Sequence, residues 1–271
     1  MSRTQALADA IALAQRFATT PAEPDDWPGI VRGALSMQLV KRINDPDLVH
    51  QVDTSLCGPA AFVRAVAMDM PLNYARCVID LYRTGAGNIV GLDIAPRRRM
   101  RRTPPKMGTH GADWIMLGGV RDDENLIFSV AQAPGLVAGM TLPRTMVKWF
   151  KSAGYSNVSD QAHIGWWPLE HRLATARYAS NLHSGGYRVV MLIDADVLYV
   201  GRQYTDKINV PNHWVTLKEP IFSTPNVTLE DDVSFRVHSW GGSVQVAGTT
   251  PVPLSLRKFL QKFYGFVAAK L

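Results

Sequence analysis

Apolar residues recur at three- and four-residue spacing through the first half of the chain, whereas the second half carries short β-branched runs between turn residues. The first pattern predicts helices and the second predicts strands. A helix is expected over about residues 4–18, ending before the linker TTPAEPDDWPG, and another over about 28–43 with Ile30, Val31, Ala34, Leu35 and Leu39 on one face. From Cys57 the pattern is helical again, through Ala60, Ala61, Val63 and Val66 to Met70, with Pro71 as the stop. Asn73 then caps a helix to Tyr82 that buries Tyr74, Cys77, Val78 and Leu81. Two further helical pieces, 112–117 and 124–130, are separated by a link at 118–123 that contains Gly118 and Gly119.

Beyond this point the character changes. Thr141 is placed to cap a helix over 143–153 that Gly154 ends, and a short segment runs to Val158. A helix over 168–182 leads through Ser184-Gly185-Gly186 into YRVVMLID, a buried-strand pattern at 187–194. More strands are expected at 213–217, 233–238 and 243–246. Over 254–269, Leu256, Phe259, Leu260, Phe263 and Phe266 stand at helical spacing and predict a C-terminal docking helix rather than a membrane-surface one. Helices first and an antiparallel sheet afterwards make the class α+β. Residues 1–46 read as an N-terminal helical extension to a domain over 47–271.

Composition narrows the chemistry. The 271 residues are 46% hydrophobic and 19% charged, enough for one large domain or two small ones, which excludes disordered and fibrous classes. Two cysteines, Cys57 and Cys77, exclude a disulfide scaffold and a Cys-rich zinc domain. The net charge of +6 is local: residues 97–106, RRRMRRTPPK, hold six basic and no acidic side chains, leaving 23 basic against 23 acidic elsewhere. Such a run suggests phosphate contacts, but Pro104 and Pro105 forbid a regular basic helix and no aromatic residue is interleaved. A solvated basic loop is the expectation, and nucleic acid is not the favoured partner. The apolar stretch at 6–18 is broken by Asp9, Gln15 and Arg16, which fits an amphipathic helix and neither a signal core nor a membrane span. The chain is therefore expected in the cytoplasm of the producing cell, without a signal peptide and without a membrane partner. No cofactor is expected: there is no Walker loop, no GxGxxG after a strand and no HExxH, and the seven histidines show no metal-ligand spacing.

Nucleophilic chemistry is the remaining class. Cys57 opens the helix CGPAAFVRAVAM, where free amides and the positive helix end stabilise a thiolate, and Pro59 in the first turn helps set the helix start. Cys77, inside a helix, reads as a packing residue. Gln51, six residues before Cys57, can join the Cys57 amide in holding an oxyanion. His213 begins the strand HWVTL and can exchange a proton with a thiol. Trp240, followed by Gly241 and Gly242, fits a ring that covers a Cys–His pair at a sharp turn, or a core Trp before one.

Gln51, Cys57-Gly58-Pro59-Ala60, Asn212-His213-Trp214-Val215 and His238-Ser239-Trp240-Gly241, in that order, resemble the papain-like cysteine peptidases over about residues 51–250. In pattern they are similar to bacterial double-glycine leader peptidase domains and their stand-alone relatives. The resemblance implies a helical lobe carrying the Cys57 helix packed against an antiparallel sheet carrying His213, with Gln51 at the oxyanion hole. His238 stands where the papain group has an Asn before Ser-Trp-Gly, a departure that leaves Asp231, Asp232 and Glu230 as alternative orienting residues. It also implies cleavage of a peptide bond in a protein substrate, with paired glycines as an inherited preference. A stand-alone domain without a signal peptide is similar to papain-like toxin effectors delivered into competing bacteria, including by type VI secretion, and such an effector implies an immunity protein as inhibitor. Amide hydrolysis in the cell wall, glutamine deamidation, and a non-catalytic module using the basic loop remain open beside it.

Overall fold

The computed structural model describes residues 2–20, 26–52, 56–124, 140–165, 167–198, 210–224, 226–247 and 253–271. The chain divides into two compact units, Met1–Pro134 with Ser152–Gly154, and Gly135–Lys151 with Tyr155–Leu271. The class is α+β.

The first unit is helical. It contains α1 (Arg3–Thr19), α2 (Arg32–Asn44), a 3-10 turn (Pro46–Leu48), α3 (Cys57–Asp69), α4 (Pro71–Thr84), the two-stranded hairpin β1 (Gly87–Ile89) and β2 (Leu92–Ile94), the single turn α5 (Arg98–Arg101), and α6 (Gly111–Glu124). The first two helices are not an appendage. The Trp27 indole donates to the Leu81 carbonyl at 2.7 Å, and the Ser36 hydroxyl to the Ala14 carbonyl at 2.7 Å. Arg42, fully buried on α2, makes a bidentate pair with buried Asp113 on α6 through Nε and Nη2, and the same Nη2 lies 3.0 Å from His110 Nδ1 while Nη1 donates to the Gln38 carbonyl at 3.2 Å. Burial pushes the Asp113 carboxyl up and the Arg42 guanidinium opposes that shift. A buried charge without its partner is costly, so this pair ties α2 to α6.

Two helix boundaries depart from the sequence expectations. Pro71 does not stand outside both helices but opens α4 at its first turn, where its missing N–H costs nothing; Asn73 is therefore interior and caps nothing. The expected link at 118–123 is helical, because α6 runs unbroken from Gly111 to Glu124. Its glycines serve packing: a Cβ at Gly118 would meet Met100 Cε at 2.0 Å, and one at Gly119 would meet Ile94 Cγ2 at 3.3 Å. The expected helix at 124–130 lies outside the described residues past Glu124. Met100 belongs to α5, so part of the expected basic loop is a helical turn.

The second unit holds α7 (Pro143–Ser152, its last residue counted with the first unit), β3 (Asn157–Asp160), α8 (Leu169–Ser184), β4 (Arg188–Ile193), β5 (His213–Leu217), β6 (Ser234–Ser239), β7 (Gly242–Ala247), α9 (Leu256–Gln261) and β8 (Phe263–Lys270). Its six strands form one antiparallel sheet in the order β3-β8-β4-β5-β6-β7. Val189, Met191, Val215, Leu217, Phe235, Val237 and Phe266 on one face pack with Ala176 and Ala179 of α8 and Phe259 and Leu260 of α9. At the start of α7 the Leu142 carbonyl receives the Thr145 and Met146 amides, while the Thr141 carbonyl accepts the Trp214 indole N–H at 2.8 Å.

The C-terminal docking helix is the largest correction. Only Leu256–Gln261 is helical, capped by the Ser255 hydroxyl on the Lys258 amide, and residues 263–270 are a strand between β3 and β4. Seven of its eight residues are buried, so it has no polar face from which a period could be read. Gly265 makes the strand possible. Met191 pairs Phe266 and Ile193 pairs Phe263, so β8 carries one extra residue in a bulge, and Gly265 takes φ +88 there. A Cβ at this point would lie 1.9 Å from the Gln161 carbonyl oxygen. Gly265→Ala is therefore expected to destabilise the protein by more than about 2 kcal/mol in urea unfolding, against under about 1 kcal/mol for an Ala at open Gly33.

Candidate active site

The expected site residues fall on both units. Cys57 and Gln51 belong to the first, and His213, His238, Ser239 and Trp240 to the second.

Cys57 is the first residue of α3 and is buried at 6% exposure. The Ala60 amide donates to the Leu56 carbonyl at 2.8 Å, so the helix ladder begins there and does not use the amides of Cys57 and Gly58. Pro59 has none to offer. The helix dipole thus directs its positive end to the thiol. Cys77 has no such setting: fully buried on α4, its thiol is pushed well up by burial, and its sulfur packs 2.9 Å from where a Gly87 side chain would begin. Gln51 is buried, and its neighbour Val52 holds φ +51, a conformation costly for a β-branched residue. Only four described non-glycine residues have such a φ: Asp26, Val52, Val90 and Trp240.

His213 is fixed by three contacts. It is the first residue of β5 and pairs with Ile193 at the end of β4. Immediately before it, the Asn212 amide donates to the Ile193 carbonyl at 3.1 Å, and the Asn212 side-chain oxygen accepts the Ala195 amide at 2.8 Å. That double clamp sets where the strand begins. The ring then stacks on Trp240, with centroids 4.9 Å apart and planes 17° from parallel. Nε2 and the Ser239 hydroxyl oxygen lie 2.7 Å apart in a buried hydrogen bond.

Sheet register explains why Ser239 holds this position and His238 does not. Thr216 pairs with His238 and Leu217 with Val237, so side chains at 213, 215, 217, 237 and 239 share one face and His238 lies on the other with Thr216. His238, the expected orienting residue, therefore does not share the face of His213, and the side chain that meets Nε2 is Ser239. Two of the alternatives are engaged elsewhere: the Asp231 carboxylate accepts the Thr228 amide at 2.7 Å and Glu230 pairs with Arg257; the backbone of Asp232 forms a β-bridge with Ser255. Sequence offered one signal for Ser239, the alternation of a strand that starts at His213, but the offset between β5 and β6 was needed to use it. The β6–β7 connection has two residues, Trp240 at φ +48 and Gly241 at φ +72, the positive pair that a tight hairpin of matching twist requires. This turn puts the indole over the imidazole.

Burial alone pushes the His213 imidazole down to about 4 from an ordinary value of 6.5. The ring is neutral at pH 7 and able to accept a proton. Among the described residues, no group of three or more His, Cys, Asp or Glu is placed to hold a metal ion, and no helix is long and apolar enough to cross a membrane.

The depressed value has a defined consequence for stability. The unfolded chain protonates at His213 as pH falls through 6.5 and the folded protein does not until about 4, so the folded state loses stability across that window. Between pH 7 and about 4 the His213 share is about 3 kcal/mol. Urea unfolding at both pH values is expected to show this extra acid loss in the wild type and its absence in His213→Gln.

Comparison with known proteins finds no matching family model, no matching curated protein and no matching solved structure.

Proposed function

We propose that the chain is a thiol hydrolase of the papain-like type that cleaves a peptide bond in a protein substrate. The observation that carries this reading is the setting of His213: a buried, neutral imidazole at a strand start, stacked by Trp240 and hydrogen-bonded through Nε2 to Ser239. A histidine that only fills a core needs no such three-sided restraint. A general base does, because proton transfer demands one tautomer and one orientation.

In the reaction, Ser239 Oγ accepts the Nε2 proton of neutral His213 and leaves the Nδ1 lone pair as the base. His213 takes the Cys57 proton, and the sulfur attacks the substrate carbonyl carbon. Gln51 and the Cys57 amide receive the developing oxyanion. His213 returns the proton to the leaving amine, and the acyl group stays on sulfur. Water, deprotonated by His213, then releases the acid and restores the thiol. The mechanism requires thiol and imidazole to meet. Two further parts of the reading are that the substrate is a protein of a recipient bacterium, with the chain acting as a delivered toxin, and that an immunity protein covers the site in the producer.

Iodoacetamide labelling followed by peptide mass mapping tests the nucleophile. Cys57 is expected to be alkylated near neutral pH much faster than Cys77, and equal rates would end the peptidase reading. Expression in a bacterial cytosol tests the setting: wild type is expected to arrest growth with newly cleaved host proteins, and Cys57→Ala to be harmless. Equal growth of the two would remove the toxin reading.

The Ser239 role has its own measurement. Ser239→Ala is expected to slow Cys57 alkylation by about tenfold or more, with Ser239→Asn retaining most of the rate because its amide oxygen also accepts the Nε2 proton. Unchanged alkylation in Ser239→Ala would leave the His213 contact a packing feature.

A further inference from the structure

We infer that the basic segment around α5 is a preformed docking surface for a carboxylate-rich segment of a partner protein. The inference is independent of the peptidase reading, since every residue it uses lies in the first unit.

The segment is built to hold its shape. Met100 Cε occupies the space above Gly118 of α6, and the Trp114 indole donates to the Thr103 carbonyl at 2.9 Å. The Asp122 carboxylate accepts the Arg97 amide at 2.7 Å. Pro104 and Pro105 then stop the turn. Met100 and the backbone groups at 97 and 103 thus face the unit and Arg101 is half-buried, while Arg97, Arg98, Arg99, Arg102 and Lys106 are exposed. A solvated loop with no role would gain nothing from such anchoring, which concentrates the whole net charge of the chain in one place.

The structure also indicates which anion the arginines accept. Asp26 sits between Arg98 Nε at 3.0 Å and Arg102 Nε at 3.1 Å, and Arg97 grips both oxygens of Asp122. Arg97, Arg98 and Arg102 remain 54%, 66% and 56% exposed while doing so, leaving their other donors to solvent. Arg99 and Lys106 are exposed beside them, and Met107, at 97% exposure, adds an apolar contact of the kind found at protein interfaces. Nucleic acid fits less well. One turn of helix fans its arginines outward instead of aligning them along a phosphate backbone, and residues 97–107 contain no aromatic ring for a base to stack on.

The test is fluorescence anisotropy on the full chain with two labelled probes, a decaglutamate peptide and a short DNA duplex. The peptide is expected to bind more tightly than the duplex, and to weaken as salt rises from about 50 to about 200 mM. Arg99→Gln with Lys106→Gln is expected to weaken peptide binding by about tenfold, since two exposed charge contacts are lost. Arg99→Lys with Lys106→Arg is expected to retain it, and Lys148→Gln with Lys151→Gln on α7 to leave it unchanged. An unaltered melting temperature for each variant keeps folding out of the comparison. Absence of peptide binding, equal binding by the Arg99→Gln, Lys106→Gln variant, or tighter binding of the duplex would each overturn the inference.

Discussion

The pairing of β4 with β5 is the constraint on which the setting of His213 in the second unit depends. One hydrogen bond from the Asn212 amide to Ile193 and one from the Ala195 amide to the Asn212 side chain fix the residue at which β5 begins. Everything downstream inherits that choice. A slip of one residue would turn His213 to the other face of the sheet and separate it from Ser239 and Trp240. The buried ring tolerates no such error, because its neutral state and its orientation both come from being enclosed.

The central position of β8 supports this pairing from the other side. With β3 and β8 continuing the sheet past β4, the strand that carries Ile193 is interior, and its backbone groups are paired on both edges. At the β4 end, Asp194 is held by buried Lys262, whose ammonium lies 3.2 Å away, and its amide donates to the Lys262 carbonyl at 2.9 Å. The residue just before β8 is therefore anchored to the residue just after β4. In the first unit the Arg42–Asp113 pair has a comparable part, binding the N-terminal helices into the same core as the Cys57 helix.

Much of this architecture was legible because local signals agreed. The helix that starts at Cys57, the strand that starts at His213 and the Gly-ended helix before Gly154 all carry caps, breakers or periodicity within a few residues of their ends. The failures share a cause. Residues 263–270 are apolar on both faces, so neither period is visible; Gly118 and Gly119 look like breakers but exist to admit Met100 and Ile94; Asn73 reads as a cap, but Pro71, which stops α3, also opens α4 and leaves Asn73 inside it. Each of these is decided by what packs against the residue, which a local window does not contain. The division at residue 46 failed for the same reason, since the contacts that draw α1 and α2 into the first unit span dozens of residues.

The candidate site divides along the same line. By itself the sequence determined the residue types and their order: a cysteine at a helix start, a glutamine before it, a histidine at a strand start, and a Trp-Gly turn after a strand. It also determined that the two cysteines differ and that the net charge resides in one decapeptide. Only the tertiary structure decided that Ser239 rather than His238 meets His213, that Trp240 stacks on the ring, and that the basic segment is an anchored surface with carboxylates already in its grip. The physical reason is that order along a chain fixes which face a side chain takes relative to its neighbours, while the offset between two strands, set by turns and clamps far apart in sequence, fixes which side chain it meets.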